Sequence, residues 1–524
     1  MRLIIYIVML LIINSLASAQ TQEKIPWPSM ADSPWPIWRA DAQATGRSEY
    51  VGPRTNNVVY RTDMPYGILF GPVIGYDDIL YMGTRANSMD SNYFYAVKPD
   101  GTLLWDFRTE GPYPNEGAGI VGSDTTIYIS SNNTYIYALD KHGNQKWKIG
   151  KLAVSKYPLL SMAKNGDLYV STHADSLLVI DTKTGEIKNK IYLGVDGAGI
   201  PVSFTTDGEN IVYVKGTATN FDNYMYLVFA DLDGNEIWSR AFFSLVEYKP
   251  TLDNENNIYV VGTDTANTPT DKLFSFDNEG NLRWEFITEG LSHKGPPTID
   301  SDGNIIFLAG KYYNDDLRYA IYSVDYKGNE NWSYLIDPDL PRFSTYVDHP
   351  LTVDAEGKIY FGASRSTVSN GYFYCLNKTG ELLWKLDLEG RDYHANPVIG
   401  SDGTLYLTTH QVLSTNVTRN LIAIKDKPNS VEDDKTPTEF TLHQNYPNPF
   451  NPTTSIEYQV ASNEKVNLKV CDILGREVAV LVNETKQPGS YEVEFDGSKL
   501  SSGIYFYVLE AENVRVSKKM MLIK

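Results

Sequence analysis

A turn glycine followed four residues later by tryptophan recurs along the chain and constrains its fold more than any other feature. The glycines stand at positions 101, 143, 185, 234, 280, 328 and 380, so neighbouring copies lie 42 to 52 residues apart. Six copies end in tryptophan, at Trp105, Trp147, Trp238, Trp284, Trp332 and Trp384, and the third copy, TGEIKN, has Asn189 instead. A period of this length is typical of stacked or radially repeated supersecondary units.

Two further signals run in phase with the first. Short apolar-aromatic segments such as ILYMG, TIYIS and NIYVV are each followed by a second strand-like segment such as YFYAV or YIYAL. A small or proline-marked segment precedes them at Gly71-Pro72, Ala118-Gly119, Tyr157-Pro158, Ile200-Pro201, Lys249-Pro250, Pro296-Pro297, His349-Pro350 and Asn396-Pro397. Together the signals indicate eight copies, each with four short strands joined by turns rich in Gly, Asn and Asp.

This repeat predicts an all-β chain. One four-stranded sheet cannot bury both of its faces, whereas eight sheets around an axis can, and radial closure leaves only short edges exposed. We therefore predict an eight-bladed β-propeller over residues 36–426. A seven-bladed ring is the alternative because the first copy lacks the leading Gly-x-x-x-Trp, and a linear β-solenoid normally has shorter repeats.

The repeats resemble those of PQQ-like (pyrroloquinoline-quinone-type) propellers. YIYALDKHGNQKW has the character of one such repeat, and PWPIWRADAQATGRSEYVGP, residues 34–53, is similar to the lead-in segment of these proteins. The resemblance covers most of residues 34–426. It implies a fold rather than an activity, because the tryptophans of the family dock neighbouring blades and carry no chemistry.

Quinoprotein dehydrogenases of this family hold the quinone in a funnel at the propeller axis, over a calcium ion. Their alcohol-oxidising members stack the cofactor on a bridge between two adjacent cysteines. The two cysteines here, Cys375 and Cys471, are not adjacent, and the sequence has no Cys-x-x-Cys-His haem motif. We therefore expect no cofactor, with pyrroloquinoline quinone and calcium as the alternative.

Other chemical motifs are also absent from the sequence. It has no Gly-x-Ser-x-Gly, His-Glu-x-x-His, P-loop or Gly-x-Gly-x-x-Gly pattern. Two cysteines in different predicted domains exclude cysteine-built zinc sites, and we expect no disulfide between them. We interpret the DGN, DNENN and SDG stretches as hairpin turns rather than calcium loops. The net charge of −19 argues against nucleic acid or an anionic membrane as partner.

One set of polar residues is a candidate ligand site. The stretches just before the proline-marked segments hold equivalent places in successive repeats, and such places can face the axial funnel of a propeller. They supply acids, bases and histidines suited to a polar ligand or a metal, with solvated loop ends as the alternative. The candidates are Glu116, Lys156, Asp196, Glu247, Lys249, His293, Lys294, Asp348, His349, Tyr393 and His394.

The N-terminus has the three regions of a secretory signal peptide. Arg2 precedes the apolar stretch from Leu3 to Ile13, and Ala17-Ser18-Ala19 is a small-residue cleavage pattern. We predict a signal peptide over residues 1–19, cleavage before Gln20 and a lead-in over residues 20–35. The apolar stretch is too short for a membrane anchor, so no membrane span is expected in the mature chain.

The C-terminal region has a different pattern. Residues 427–439 contain VEDDKTPTE and read as a linker. Alternating strands from residue 440 to residue 524 predict a small immunoglobulin-like β-sandwich. QNYPNPFNPTTSIEYQV, VCDILGREVAVLV, GSYEVEFDGSKLSSGIYFYVLEA and the final KKMMLIK resemble the C-terminal sorting domain of type IX secretion cargo. The match departs at Cys471, where the family commonly has an aromatic residue.

These features predict a protein of the outer cell surface or the extracellular space, exported through the periplasm. The sorting resemblance implies the type IX secretion machinery as a partner of residues 440–524. We expect the propeller to be a non-catalytic platform for an extracellular protein or glycan. A divergent quinoprotein oxidoreductase or a polysaccharide-degrading enzyme that uses the funnel is the alternative, and a purely structural role is a third.

Overall fold

Almost all regular structure in the described part of the chain is β-strand, with one 3-10 helix at Tyr76–Asp78. In the computed structural model the chain divides into two units, Met1–Asp426 and Lys427–Lys524. The structure describes residues 20–64, 71–83, 93–110, 119–131, 135–150, 160–172, 176–192, 203–216, 225–242, 244–245, 250–263, 272–290, 295–336, 345–346, 350–365, 371–388, 392–393, 397–410, 420–427, 440–445, 448–511 and 514–523.

The described strands of the first unit form eight antiparallel sheets that follow one another along the chain. Before the first sheet stands β1 (Val58–Asp63). The first sheet comprises β2 (Val73–Ile74), β3 (Leu80–Gly83), β4 (Tyr93–Val97) and β5 (Leu103–Arg108). The second comprises β6 (Ile120–Val121), β7 (Ile127–Ser131), β8 (Tyr135–Leu139) and β9 (Gln145–Gly150). The third comprises β10 (Leu160–Met162), β11 (Leu168–Ser171), β12 (Ser176–Ile180) and β13 (Ile187–Tyr192).

The next three sheets repeat this order. The fourth sheet comprises β14 (Ser203–Thr206), β15 (Asn210–Gly216), β16 (Met225–Asp231) and β17 (Glu236–Phe242). The fifth comprises β18 (Ser244–Leu245), β19 (Thr251–Leu252), β20 (Ile258–Thr263), β21 (Lys272–Phe276) and β22 (Leu282–Ile287). The sixth comprises β23 (Thr298–Ile299), β24 (Ile305–Tyr313), β25 (Asp316–Val324) and β26 (Glu330–Leu335).

The last two sheets bring the chain back to its beginning. The seventh comprises β27 (Thr345–Tyr346), β28 (Thr352–Val353), β29 (Ile359–Arg365), β30 (Gly371–Leu376) and β31 (Leu382–Asp387). The eighth comprises β32 (Asp392–Tyr393), β33 (Val398–Ile399), β34 (Leu405–His410) and β35 (Asn420–Ile424). Its outer strand is β1, which pairs with β35 in the register Arg61 to Ile422. The strand nearest the N-terminus therefore completes the sheet nearest the end of this unit.

The inner strand of each sheet is defined as its first strand, or as its second strand in the fifth, seventh and eighth sheets, where a two-residue strand precedes it. The inner strands are β2, β6, β10, β14, β19, β23, β28 and β33. Inner strands of several neighbouring sheets contact one another, for example β2 with β6, β6 with β10, and β10 with β14. All eight begin one or two residues after a proline-marked or small segment of the sequence. The structure thus places the predicted repeat signal at the start of each inner strand.

Burial follows strand position within a sheet. The third strand of the first sheet, β4, is almost wholly buried, whereas exposure alternates along its outer strand, β5. A strand covered on both faces by neighbouring sheets must be apolar throughout, and a strand at the rim needs only one apolar face. Core clusters accordingly draw residues from two adjacent sheets, as where Leu168 and Val170 of the third meet Tyr128 and Ile136 of the second.

The repeated tryptophans join each sheet to the next. The indole of Trp105 donates from Nε1 to the Lys141 carbonyl at 2.9 Å, and a Cβ placed on Gly143 would lie 2.8 Å from its ring. Gly143 has φ +83°, which glycine adopts without strain. The same contact pairs Trp147 with Gly185, Trp238 with Gly280, Trp284 with Gly328, and Trp332 with Gly380. The predicted docking role of the tryptophans is therefore what the structure shows.

Two positions depart from the tryptophan pattern but keep the contact. In the degenerate third repeat Ile191 lies against Gly234, where an added Cβ would be 2.0 Å from its Cγ2. At the return to the first sheet, Tyr60 of β1 lies against Gly101 and donates to the Pro99 carbonyl at 2.9 Å. The eighth sheet thus docks on the first as other sheets dock on their successors, and the ring closes.

The second unit contains two antiparallel sheets. One comprises β36 (Thr441–Leu442), β37 (Thr453–Val460) and β40 (Gly489–Asp496). The other comprises β38 (Glu464–Asp472), β39 (Glu477–Lys486), β41 (Gly503–Ala511) and β42 (Val514–Leu522). Alternate residues of both sheets share one core, which includes Tyr458, Leu468, Tyr507 and Met520.

Candidate functional site

Ten of the eleven predicted ligand residues lie outside the described residues. They are Glu116, Lys156, Asp196, Glu247, Lys249, His293, Lys294, Asp348, His349 and His394. The structure describes the backbone of Tyr393, which stands in β32 opposite Thr409 of β34. The convergence of these side chains therefore stays a prediction.

In the fifth, seventh and eighth sheets, strand pairing is described on both sides of a stretch that holds predicted ligand residues. In the fifth sheet Leu245 pairs with Gly262 and Thr251 pairs with Tyr259. Five residues thus separate the two pairs on the inner side, but only two on β20. Between β27 and β28 the corresponding numbers are five and three, and between β32 and β33 they are four and two. The residues between the paired positions include five of the predicted ligand residues, namely Glu247, Lys249, Asp348, His349 and His394.

The C-terminal ends of the inner strands contact the N-terminal plug, which is defined as residues 20–53. The plug crosses the turns that follow the inner strands, and its hydrogen bonds reach seven of the eight sheets. These bonds run from Ile74 N to Trp35 O, from Val121 N to Pro36 O, from Ser29 Oγ to Ala163 O, from Thr205 Oγ1 to Ala42 O, from Leu252 N to Gln43 O, from Ile299 N to Thr45 O, and from Ser48 N to Val353 O. One chain segment therefore ties the inner ends of the sheets together.

Small side chains let the plug approach this closely. Ala42, Ala44 and Thr45 are almost completely buried, and Thr251 donates from Oγ1 to the carbonyl of Pro297 at 2.8 Å beside them. A larger side chain would overpack the point where several inner strands come together. The close approach of the inner strands therefore accounts for the small residues in the plug sequence Ala-Asp-Ala-Gln-Ala-Thr-Gly.

Arg39 is the central polar group of the plug and is 0% exposed. Its Nε and Nη2 donate to the Ala44 carbonyl at 3.1 and 2.9 Å, and Nη2 also donates to the Pro297 carbonyl. Its Nη1 donates to Thr298 Oγ1 at 3.0 Å and to the Leu351 carbonyl at 3.2 Å. The guanidinium thereby joins the plug to the sixth and seventh sheets through five hydrogen bonds to neutral acceptors.

Charged side chains are buried at the end of the ring that the plug fills. Burial lowers the pKa of Arg39 to about 9, and the nearby Asp41 carboxylate opposes this shift. Burial also raises the pKa of Asp41, against hydrogen bonds from the hydroxyl and amide of Thr45. Arg47, also largely buried, donates to the Asp300 carbonyl at 3.2 Å. Arg39, Asp41 and Arg47 therefore have hydrogen-bond partners within the protein.

A second buried network anchors the end of the plug. The Asp354 carboxylate accepts from the Gly52 amide at 2.9 Å and lies 2.8 Å from the Lys358 ammonium. The Tyr360 hydroxyl donates to the Pro53 carbonyl at 3.0 Å, within the same cluster. Burial strongly raises the pKa of the neighbouring Cys375 thiol, so this cysteine is a protonated core residue rather than a nucleophile.

The aspartates of the repeat turns are also occupied. In the second sheet Asp140 accepts from the amides of His142 and Asn144 at 2.8 and 2.9 Å, and from the Asn144 side chain at 2.9 Å. These hydrogen bonds offset the desolvation of Asp140 and hold its pKa below the usual range. The same arrangement recurs at Asp231, Asp277, Asp300 and Asp325. These stretches are Asx-type turns, as the sequence predicted.

No group of three or more His, Cys, Asp or Glu side chains suited to a metal ion occurs among the described residues. Within the same residues, no helix has the length and apolarity that a membrane crossing requires.

In the second unit, the described residues of the passage QNYPNPFNP, 444–445 and 448–452, include contacts to the strands that end this domain. The Asn445 amide donates to the Tyr507 hydroxyl at 2.8 Å, and that hydroxyl donates to the His443 carbonyl at 2.8 Å. Phe450 is buried; its amide donates to the Met521 carbonyl of β42, and its carbonyl accepts from the amide of Ile523, just after that strand. The passage thus binds the start of this domain to its last strand.

The role of the plug was not predicted from the sequence. Its resemblance to a lead-in marked the segment, but single-sequence patterning gives no sign that a lone arginine is buried. The available signal was the alternation of alanine with polar residues from Ala40 to Thr45, which suits neither an amphipathic strand nor a solvent-exposed linker.

Comparison with known proteins gives two family matches. Residues 444–524 match the model of the secretion system C-terminal sorting domain. Residues 91–241 match the PQQ_2 model, described as outer membrane protein assembly factor BamB. Among curated protein sequences there is no significant match.

Solved structures with a similar fold include quinohemoprotein alcohol dehydrogenases. That of Comamonas testosteroni aligns with TM-score 0.55 at 12% identity, over 78% of this chain and 83% of the dehydrogenase. That of Pseudomonas putida HK5 aligns with TM-score 0.52 at 13% identity, over 76% and 83%. BamB of Moraxella catarrhalis aligns with TM-score 0.48 at 15% identity, over 71% and 98%. At these identities the dehydrogenases show the fold alone.

The chain therefore carries PQQ-like repeats in a β-propeller, followed by a C-terminal sorting domain of the type IX secretion system. Both resemblances found in the sequence are confirmed.

Proposed function

We propose that this protein is an exported binding platform. Its eight-bladed propeller binds an extracellular protein or glycan at one mouth of the ring. The observation that carries the proposal is the N-terminal plug, which fills one end of the ring with its own hydrogen-bonded residues around Arg39. Ligand access is then through the opposite mouth, from which the inner strands begin. Eight sheets, closed by β1 on β35, support the count of eight blades.

The destination rests on the sorting domain. Residues 444–524 match the sorting family, and the predicted signal peptide supplies the first export step. We propose that the chain crosses the inner membrane on residues 1–19 and the outer membrane by means of its second unit, to the cell surface or beyond. An immunoglobulin-like topology for that unit is part of the proposal, supported by its two antiparallel sheets around one core.

A non-catalytic role is supported by how the repeat residues are used. The tryptophans dock on turn glycines, and the turn aspartates accept hydrogen bonds from their own turns. Cys375 and Cys471 are single buried thiols, so the sequence lacks the paired cysteines on which alcohol-oxidising quinoproteins stack their cofactor. Rigid, repeated packing of this kind suits the presentation of a surface.

Two experiments test the proposal. For export, the full chain and a variant that ends at residue 439 are expressed in a host with type IX secretion. The full chain should reach the cell surface or the medium, and the shortened chain should stay in the periplasm. Equal export of both would contradict the sorting role.

For binding, thermal unfolding is measured with and without pyrroloquinoline quinone and calcium. We expect no shift, followed by stabilisation in a screen of surface glycans and proteins. A ligand at about 100 times its dissociation constant stabilises by roughly 2.7 kcal/mol, which is readily detected. Stabilisation by the quinone that His349→Ala abolishes would instead establish a cofactor-dependent enzyme and locate its site.

A further inference from the structure

The sixth sheet contains a longer hairpin than the other sheets of the first unit. Its strands β24 and β25 have nine residues each, whereas the described strands that follow the inner strand in the other sheets have four to seven. Each added residue extends a strand by about 3.3 Å. The inner strand of this sheet ends at the plug, where Ile299 donates to Thr45, so the turn between β24 and β25 lies at the opposite, open mouth. Residues 311–318 are called the mouth hairpin below.

The mouth hairpin carries two exposed aromatic side chains. Tyr312 is 56% exposed and Tyr313 is 40% exposed. In the described part of the first unit, every other exposed large apolar side chain lies on the outer strand of a sheet or, for Val51, in the plug. The two tyrosines therefore stand where the described strands of the other sheets expose no large apolar group.

The tip of the mouth hairpin is a tight, regular turn. The register of β24 and β25 is unbroken to its last pair, Tyr313 opposite Asp316. Asn314 and Asp315 connect the strands with φ +50° and +60°, the left-handed backbone of a two-residue type I′ turn. The tyrosines thus stand on paired strands rather than on an irregular loop.

The chain before the sixth sheet braces the mouth hairpin along one edge. The Tyr312 amide donates to the Glu289 carboxylate at 2.8 Å, and Gly290 forms a bridge with Gly310. Leu317 packs over this bridge, where a Cβ added to Gly290 would lie 2.3 Å from its Cδ1. A ligand that binds the tyrosines would therefore meet a surface that is already ordered, which reduces the entropy cost of binding.

The two tyrosines face opposite sides of the mouth hairpin, because neighbouring strand residues alternate between faces. Tyr313 shares its face with its partner Asp316 and with Arg318, which pairs with Lys311 two residues before Tyr313. The Arg318 guanidinium donates to the Asp316 carboxylate at 3.3 Å, and the Asp316 side chain is 43% exposed. An exposed aromatic ring thus lies on the same face as a solvent-accessible carboxylate and its guanidinium partner.

This combination fits a sugar ring. A pyranose has an apolar face of C–H groups, which packs on an aromatic ring, and an edge of hydroxyls, which donate to a carboxylate and accept from a guanidinium. The area also favours a small ligand. Since an aromatic side chain can bury 150–250 Å², the exposed parts of the two tyrosines together offer about 200 Å². A stable protein interface needs about 800 Å² from each partner.

We propose that the mouth hairpin is a glycan-binding element, on which neutral pyranose units stack against Tyr312 and Tyr313. The inference rests on the proposed function and assigns its ligand to the glycan class rather than to proteins. The predicted ligand residues His293 and Lys294, which lie outside the described residues, follow Gly290 by three and four positions in the sequence. The mouth hairpin is thus braced by the chain that leads into a predicted ligand stretch.

The test is native electrophoresis of the full chain through gels that contain laminarin, mannan or xyloglucan, three soluble neutral polysaccharides. We expect at least one of them to retard the protein. The double variant Tyr312→Ala/Tyr313→Ala should bind it about tenfold more weakly or less, as expected when aromatic anchors are removed. Tyr312→Phe/Tyr313→Phe keeps both rings and should stay within about threefold of the parent.

Tyr192→Ala is the matched control, because Tyr192 is 58% exposed but stands on the outer strand of the third sheet. It should be retarded like the parent, and all variants should keep the parent's thermal midpoint. Unchanged retardation of the double alanine variant would overturn the assignment to the mouth hairpin and leave the binding platform standing. Absence of retardation by all three polysaccharides would overturn the glycan class. A protein partner whose binding requires both tyrosines would also overturn it, while supporting the platform itself.

Discussion

At the residue scale, the fold depends on buried charged groups whose hydrogen-bond partners the protein itself supplies. Arg39 has no exposed surface and five hydrogen bonds to carbonyl and hydroxyl oxygens. A buried charge without such partners is strongly unfavourable, so these bonds are a condition of its presence. The same logic applies to Asp354, whose carboxylate is completely buried against Lys358.

Replacement of Arg39 by methionine should strongly destabilise the first unit. The methionine would roughly fill the aliphatic volume but remove all five hydrogen bonds of the guanidinium, although Thr251 and Thr298 still donate to the carbonyls of Pro297 and Leu351. At about 0.5–1.5 kcal/mol net for each hydrogen bond lost, we expect a loss of about 3 kcal/mol or more. Urea unfolding measures it. Arg240→Met is the control: Arg240 bonds one turn carbonyl, that of Gly280, and should cost about 1 kcal/mol. Equal losses would contradict the stapling role of Arg39.

A second residue-scale prediction concerns pH. Burial raises the pKa of Asp78, whose carboxylate accepts from the amide and hydroxyl of Ser401 at the seam between the first and eighth sheets. Because the folded state holds this proton to a higher pH than the unfolded chain does, ionised Asp78 costs stability, and the cost appears as pH rises through the folded pKa.

Asp78→Asn should therefore lose less stability than the parent between pH 4 and pH 7. Urea midpoints measured across this range check the slope, and Asp140→Asn is the control. Hydrogen bonds depress the pKa of Asp140, so its carboxylate contributes stability that is lost as pH falls. An unchanged slope in Asp78→Asn would contradict this account.

At the element scale, contact between neighbouring sheets depends on turn glycines. Gly328 has φ +87°, and an added Cβ would lie 2.7 Å from the Trp284 ring. Gly166 has φ +90°, but its nearest neighbour would be 3.8 Å away. Alanine at either position would have a strained, left-handed backbone. Only at position 328 would its Cβ also clash with a neighbouring sheet.

Gly166→Ala should cost about 1–2 kcal/mol from backbone strain alone. Gly328→Ala should cost about 1–3 kcal/mol more, because overpacking must displace the indole or the turn. Denaturant unfolding of the two variants gives the difference directly. If they are equally destabilised, the tryptophan contact does not constrain the turn.

Elements of the second unit depend on one hydroxyl in the same way. Tyr507→Phe removes the acceptor of the Asn445 amide and the donor to His443. It should cost about 1–3 kcal/mol and loosen the QNYPNPFNP passage. Tyr491→Phe, whose exposed hydroxyl donates to Gln487, is the matched control and should change stability by less than about 0.5 kcal/mol. Equal effects would contradict the sealing role of this passage.

How much the sequence could predict also differs by element. The strands and tryptophan contacts followed from periodicity, since every repeat meets the same neighbour. The loss of tryptophan at Asn189 was visible, but its replacement by Ile191, two residues on, depended on tertiary contact. Arg39 could not be predicted as buried, because its acceptors Pro297 and Leu351 lie far along the chain. The convergence of the ligand residues before the inner strands remains a prediction, because ten of the eleven lie outside the described residues.

At the scale of the whole molecule, closure of the ring uses the N-terminal region twice. β1 completes the eighth sheet on β35, and the plug joins the inner ends of seven sheets. Contacts between residues hundreds of positions apart can form only after most of the chain is present, so the ring closes late in folding. Export of the N-terminus before the rest of the chain is compatible with this order.

Hydrogen exchange of the native protein tests the central claim, that the plug is part of the folded ring and seals one mouth. The amides of Ala31, Gly46 and Ser48 donate to the backbone at 2.8 to 3.0 Å. They should exchange only with global unfolding, as slowly as the amides of the central strands. Exchange of these amides on the timescale of exposed turns would show that the plug opens independently, and it would contradict both the sealed mouth and the binding surface proposed at the other end.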